Sequence, residues 1–312
     1  MERWLASLYA FGMKAGSGAD VNPSFQPEGS SWLSWHPHGR FVRVGEHVLH
    51  YVDLGDPESP PLLLLHGYLL SSWTWRFNLE ALAKHHRVIA PCHLGFGYSD
   101  RPREMSGIRD MTNAIAGLLD VLEIEKASLV GLSMGGAVSL QLALDHPGRV
   151  DRLILEDSAG VRWKVPAILR RVPVWLAAQP LKLLPTRMLL KWILTHHVYE
   201  NFPVDDRYME GVMRPLMASG SRECAIAVAK AMAHDVTRIG ERLGQVTQET
   251  LILWGREDRI LSLKVGRIFE RRIPDSRLVI VDQCGHCPHE EYPERFNREV
   301  LDFLESGNSK EV

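Results

Sequence analysis

Six short segments of the chain are almost continuously apolar: Leu62–Leu65, Arg87–Ala90, Ala127–Val130, Leu153–Leu155, Leu251–Trp254 and Leu278–Val281. Runs of four or so apolar residues without alternation are the pattern of strands covered on both faces. Two β-rich runs before them, Phe41–Val44 and His47–Asp53, are joined by Gly45-Glu46 and predict a hairpin that starts the sheet. Between the apolar runs the period changes. Ile108, Met111, Ile115, Leu118, Leu119 and Leu122 fall at three- and four-residue steps, which places them on one face of a helix. The sum predicts an α/β fold with a doubly wound, mostly parallel sheet. The alternation breaks between about Gly160 and Gly240, where strand-like runs give way to helical sequence punctuated by proline. This predicts a core of residues 41–160 and 236–306, interrupted by a helical cap at 161–235. Residues 1–40 form a lead-in, with a short amphipathic helix over Trp4–Met13 followed by turn-forming sequence from Asp20.

Composition narrows the partners. Of 312 residues, 45% are hydrophobic and 24% charged, enough apolar surface for a sizeable core. The formal net charge of −2 provides no global positive field, which argues against a nucleic-acid partner. Lys and Arg interrupt every long apolar stretch before the roughly 20 residues that a spanning helix needs. Glu2 and Arg3 cancel where a secretory leader is positive, and four cysteines are too few for a disulfide scaffold, so a reducing, cytoplasmic setting is expected. Between Val161 and Tyr199 lie seven basic residues and no acid (Arg162, Lys164, Arg170, Arg171, Lys182, Arg187, Lys191). A solvated basic face is the simpler reading of that segment. Peripheral contact of the cap, or of the N-terminal helix, with an anionic membrane is the sharper one. Nothing in the pattern sets an oligomeric state.

The chemistry concentrates at Gly131-Leu-Ser-Met-Gly135, which follows an apolar strand and precedes a helix-compatible run. A strand turning sharply into a helix holds its central residue in a strained conformation, and bulky neighbours would clash with it. Ser133 would then protrude at the carboxyl edge of the sheet. The Met134 amide, at the positive end of the following helix, is placed to donate to an oxyanion there. A second donor must come from another loop on that edge. His66-Gly67-Tyr68 follows the Leu62–Leu65 run, and the Tyr68 backbone amide is the candidate, while His66 is assigned a structural role within the loop.

With these motifs in order, the chain resembles the α/β-hydrolase superfamily from about Phe41 to Leu304. His66-Gly67 looks like its oxyanion loop, Gly95-Phe-Gly-Tyr-Ser99 its Gly-x-Gly-x-Ser turn, and Gly131-Leu-Ser-Met-Gly-Gly136 its elbow. Gly255-Arg-Glu-Asp258 and Gly285-His286 are similar to its acid and histidine loops. The resemblance implies Ser133 as nucleophile, His286 as base and Asp258 as the acid that orients it, with Asp157 a reserve acid beyond an earlier strand. It implies no cofactor and no metal. Cys284-Gly-His-Cys287 shares its letters with a redox motif, and with His289 it also suggests zinc. Its place at the end of a parallel-sheet chain argues against both readings. Cys92 stands where many members of the superfamily have Asp. The loop after Gly67 lacks the Pro of epoxide hydrolases and haloalkane dehalogenases, whose nucleophile is Asp, so those activities are disfavoured.

The expectation is hydrolysis of a small-molecule carboxylic ester through an acyl-serine, beneath a Leu- and Trp-rich cap. Trp73 and Trp75 either line the acyl pocket or pack in the core. The alternatives on the same triad are cleavage of a carbon–carbon bond in a ring-cleavage product, or lactonase, amidase or perhydrolase activity. An alternative of another class is ligand binding on a hydrolase scaffold.

Overall fold

In a computed structural model, residues 35–105, 107–162 and 184–306 are described. Trp4–Met13, where a short amphipathic helix is expected, and the cap residues Lys164, Arg170, Arg171 and Lys182 lie outside them. Eight strands form one sheet: β1 (Gly39–Val44), β2 (His47–Leu54), β3 (Pro61–Leu65), β4 (Arg87–Pro91), β5 (Ala127–Leu132), β6 (Val150–Glu156), β7 (Thr250–Gly255) and β8 (Ser276–Val281). Their order is β1-β2-β4-β3-β5-β6-β7-β8. The β1–β2 hairpin closes with Val44 opposite His47, and β2 runs antiparallel to β4, whereas every pair from β4 to β8 is parallel. Each apolar run of the sequence is one of these strands.

Burial on both faces is visible residue by residue. In β3, Leu63 and Leu65 face one core and Leu62 and Leu64 the other, all four with no exposed surface. Removing that much apolar surface from water, at about 25 cal/mol per Å², is the main term that holds the sheet between its helices. Those helices are α1 (Leu79–Leu82), α2 (Ile108–Val121), α3 (Met134–Asp145), α4 (Leu184–Ile193), α5 (Asp206–Leu216), α6 (Ser221–Arg242), α7 (Leu263–Arg272), α8 (Pro288–Glu291) and α9 (Pro293–Ser306). Helix α2 buries the stripe read from the sequence, Ile108, Met111, Ile115, Leu118 and Leu119.

Between the end of β6 and the start of β7 the described residues contain helices and no strand. The boundary expected at 235 falls inside α6, which continues to Arg242 and sends Ala225, Val228, Val236 and Ile239 into the core on the α2–α3 side. One continuous helix thus runs through the expected boundary, with core contacts on both sides of it. Two of the basic residues of that segment are described as ion-paired. Arg187 and Lys191 both reach Asp206 Oδ1, at 3.1 and 3.4 Å, across from α4 to α5. No described helix is long and apolar enough to cross a membrane.

Candidate active site

The parallel strands β5 to β8 end at one edge, and their register lays the four following loops side by side. The Ser133 amide donates to Glu156 O at 2.9 Å, and the Asp157 amide donates to Leu253 O at 3.0 Å. Gly255 passes so close to the histidine loop that an added Cβ would lie 1.8 Å from Gly285 O. Ser133, Asp157, Asp258 and His286 therefore arrive at one place from positions up to 153 residues apart in sequence.

Ser133 occupies the turn between β5 and α3 with φ 51° and ψ −113°, a strained positive-φ conformation outside the left-handed helical well. Its neighbours show why they are glycine. A Cβ on Gly131 would meet Gly135 O at 2.6 Å, and one on Gly135 would meet Leu65 O at 2.1 Å and His66 O at 2.7 Å. That second approach seats the N-terminus of α3 directly against the loop after β3. Met134 is the first residue of α3, so its amide lacks an intrahelical acceptor, and Tyr68 stands on the opposing loop. The Tyr68 hydroxyl donates to Ala225 O at 2.8 Å, tying that loop to α6.

The structural role expected for His66 is met. The His93 amide donates to its Nε2 at 3.0 Å, which leaves the ring proton on Nδ1 to donate to Gly67 O at 2.8 Å. Burial lowers its pKa to about 4, so the ring stays neutral and the loop stays fixed. Behind this loop Cys92 is fully buried, with Sγ 3.4 Å from both Ser72 Oγ and His50 Nδ1. A Cβ on Gly97 would come within 2.4 Å of that sulfur, and burial pushes the thiol pKa up.

His286 Nδ1 donates to Asp258 Oδ2 at 2.8 Å. The other oxygen, Oδ1, accepts the amides of Ile260 at 2.7 Å and Leu261 at 2.9 Å. A carboxylate fixed by two amides and an imidazole N–H leaves the lone pair of the histidine on Nε2, the form that accepts a proton. Both side chains are buried, while Ser133 is half-buried. A hydrogen bond from Ser133 Oγ to His286 is not among those of the described residues, and such contacts often close only around a bound substrate. Asp157 reaches the same cluster: its carboxyl, with Asp258 and His286, brings three oxygen or nitrogen ligand atoms within 4.8 Å of one another. The Asp258 carboxylate already accepts the His286 N–H and two backbone amides, and the Asp157 carboxyl accepts the Gly255 amide.

The Cys284-Gly-His-Cys287 stretch holds two separate buried thiols. Burial, followed by nearby carboxylates, raises both thiol pKa values, so neither is a ready thiolate. Trp75 is fully buried, its ring 4.3 Å from that of His289, and belongs to the core. Trp73 is only partly buried; it stacks beneath the Arg76 guanidinium at 3.7 Å and lies 5.4 Å from the Tyr208 ring on α5.

Sequence reasoning missed the polar supports around the histidine loop. Glu156 Oε1 accepts both the amide and Nδ1 of His289 at 2.8 Å, and His289 Nε2 lies 2.8 Å from Thr74 Oγ1. Because the Glu156 carbonyl also holds the Ser133 amide, one residue grips the nucleophile turn and the histidine loop together. Glu291 accepts the amides of Gly285, Glu200 and Asn201 at 2.7, 2.9 and 2.7 Å, and the His286 amide donates to Val198 O at 2.7 Å. Glu290 pairs with Arg76 and with the Tyr199 hydroxyl. Glu290 and Glu291 follow a histidine in a short polar stretch and Glu156 ends an apolar strand, neither with a periodicity of its own, so the sequence carries no signal for their roles. Replacing His289 with phenylalanine should lower stability by about 3 kcal/mol in urea unfolding, since Glu156 is then left buried without its imidazole partner.

A serine on a strained strand-to-helix turn, at the sheet edge that also carries a histidine hydrogen-bonded to a buried carboxylate, is the arrangement of the α/β hydrolases. The α/β-hydrolase fold family model matches residues 60–293, and the chain belongs to that family. Among its relatives, the 2-hydroxymuconate semialdehyde hydrolase of Pseudomonas sp. (strain CF600) is 34% identical over 260 residues, covering 81% of this chain and 89% of the relative. The 2-hydroxy-6-oxo-2,4-heptadienoate hydrolase of Pseudomonas putida (strain F1) is 31% identical over 276 residues, 85% of this chain and 96% of the relative. The solved structure of a meta-cleavage product hydrolase from Pseudomonas fluorescens IP01 superposes with a TM-score of 0.76 at 29% identity, covering 86% of this chain and 98% of that one.

Proposed function

We propose that this hydrolase cleaves a carbon–carbon bond beside a ketone or aldehyde in a 2-hydroxy-6-oxo-dienoate, with Ser133 as nucleophile, His286 as proton carrier and Asp258 as its orienting acid. The observation that carries the reading is the similarity to hydrolases of such substrates across more than four-fifths of the chain. Motifs alone placed ester cleavage first; the relatives favour the carbon–carbon alternative, which the same triad can serve because a carbonyl carbon is attacked in both cases and only the leaving atom differs.

The chemistry fits the groups in place. Moving one proton from the 2-hydroxyl to C5 gives a 2-keto form in which C5 is conjugated through C4=C3 to the C2 carbonyl. Ser133 Oγ adds to C6 while its proton passes to His286 Nε2, and the amides of Tyr68 and Met134 face the oxyanion that forms. The C5–C6 bond then breaks, its electron pair is delocalised to the C2 oxygen, and the proton returns to the leaving fragment. Water, deprotonated by His286, releases the acyl group as a carboxylic acid and restores Ser133.

A paired assay tests this. The kcat/KM for 2-hydroxy-6-oxo-dienoates of increasing C6 substituent, followed by loss of their long-wavelength absorbance, should exceed that for p-nitrophenyl esters of rising chain length by roughly a hundred-fold. The reverse ranking would return ester hydrolysis to first place. Absence of fluorophosphonate labelling at Ser133 would favour a ligand-binding protein instead.

A further inference from the structure

Asp157 stands at the end of β6, between the strand that leads to Ser133 and the strand that leads to Asp258. Its φ of 38° lies in the left-handed region, where Asn and Asp are several-fold enriched over other side chains. The carboxyl is fully buried, accepts the Gly255 amide on its two oxygens at 3.1 and 3.3 Å, and has an oxygen within 4.8 Å of the Asp258 carboxyl. The titratable groups that face it are Asp258, Glu156, His286 and the thiols of Cys284 and Cys287. None of these is a permanent cation.

Two carboxyl groups this close in a buried site do not both ionise, so one of them holds a proton. Hydrogen-bond donors decide which. Asp258 receives two amides and an imidazole N–H, whereas Asp157 receives a single amide. The charge therefore rests on Asp258. Burial first, and the charge of Asp258 second, push the Asp157 carboxyl well above the usual carboxylate range.

We propose that Asp157 is a neutral positioning acid of the triad, accepting the Gly255 amide and donating its proton to Asp258, so that Asp258 stays in line with His286 and pulls less strongly on the imidazole proton. This rests on Ser133, His286 and Asp258 working as a triad. A carboxylate that accepts a further hydrogen bond is a weaker base, so it stabilises imidazolium less, and removal of that bond strengthens its pull. Asparagine is isosteric with the neutral acid. It offers the same acceptor to Gly255 and the same donor to Asp258, and it tolerates the positive φ. Alanine offers neither group.

The test follows the His286 imidazole by NMR across pH in the full chain and in Asp157→Asn and Asp157→Ala, beside kcat/KM profiles and thermal unfolding. Asp157→Asn should leave the His286 midpoint and the acid limb of activity in place. Asp157→Ala should raise the midpoint by about half to one pH unit, move the acid limb with it, and lower kcat about ten-fold with KM unchanged. If Asp157 were instead ionised, Asp157→Asn would remove a negative charge beside the imidazole, and the midpoint would fall by about one unit or more. That fall overturns the proposal, as does an alanine variant with the native midpoint. Should the alanine variant fail to fold, the asparagine variant decides alone. The NMR midpoint needs no substrate, so a chain that turned over none would overturn the triad reading while the Asp157–Asp258 pairing was still measured.

Discussion

Ser133→Ala should remove turnover of every substrate the protein accepts, by on the order of a million-fold, with binding of substrate retained. The size follows from what the hydroxyl supplies. It is the atom that bonds to the carbonyl carbon, and alanine leaves the turn, the helix N-terminus and the facing loop without a nucleophile. The variant should fold normally, because the Ser133 amide and carbonyl make the structural bonds here: the amide to Glu156, the carbonyl to Gly136 and Ala159. Its stability should lie within about half a kcal/mol of the native protein, and the positive φ is a cost that both residues bear. Turnover within ten-fold of the native rate would remove Ser133 from the mechanism and, with it, the acyl-serine route.

Asp258→Asn should lower kcat by about ten-thousand-fold while leaving the loop geometry intact. The amides of Ile260 and Leu261 both need the oxygen now at Oδ1, so the introduced NH2 must take the place of Oδ2 and face His286. Two donors then oppose each other. The imidazole relieves the conflict by moving its proton to Nε2, where it can no longer accept from Ser133. Fluorophosphonate labelling of Ser133 should slow in parallel with kcat, because both depend on the same proton acceptor. A loss of less than ten-fold would show that His286 is oriented by something other than Asp258, and Asp157 would be the first group to examine.

The sequence by itself determined the strands, the elbow and the candidates for the reacting groups. Strand identity is legible because burial on both faces imposes an unbroken apolar run, as at Leu62–Leu65, and a buried helix face imposes the steps from Ile108 to Leu119. The elbow is legible because the backbone leaves room for nothing larger than glycine at 131 and 135. Such constraints act on a single residue or its near neighbours, so they leave a local mark. Only the tertiary structure set the two acids weighed as rivals side by side: Asp157 and Asp258 are 101 residues apart, and adjacent parallel strands bring their carboxyls into one cluster. It also decided that Trp75 is core, that α6 runs across the expected cap boundary, and that Glu156, Glu290 and Glu291 secure the histidine loop. Hydrogen bonds between residues remote in sequence leave no periodicity and no fixed spacing. They are specified by the sheet register, which the sequence sets only through the fold as a whole.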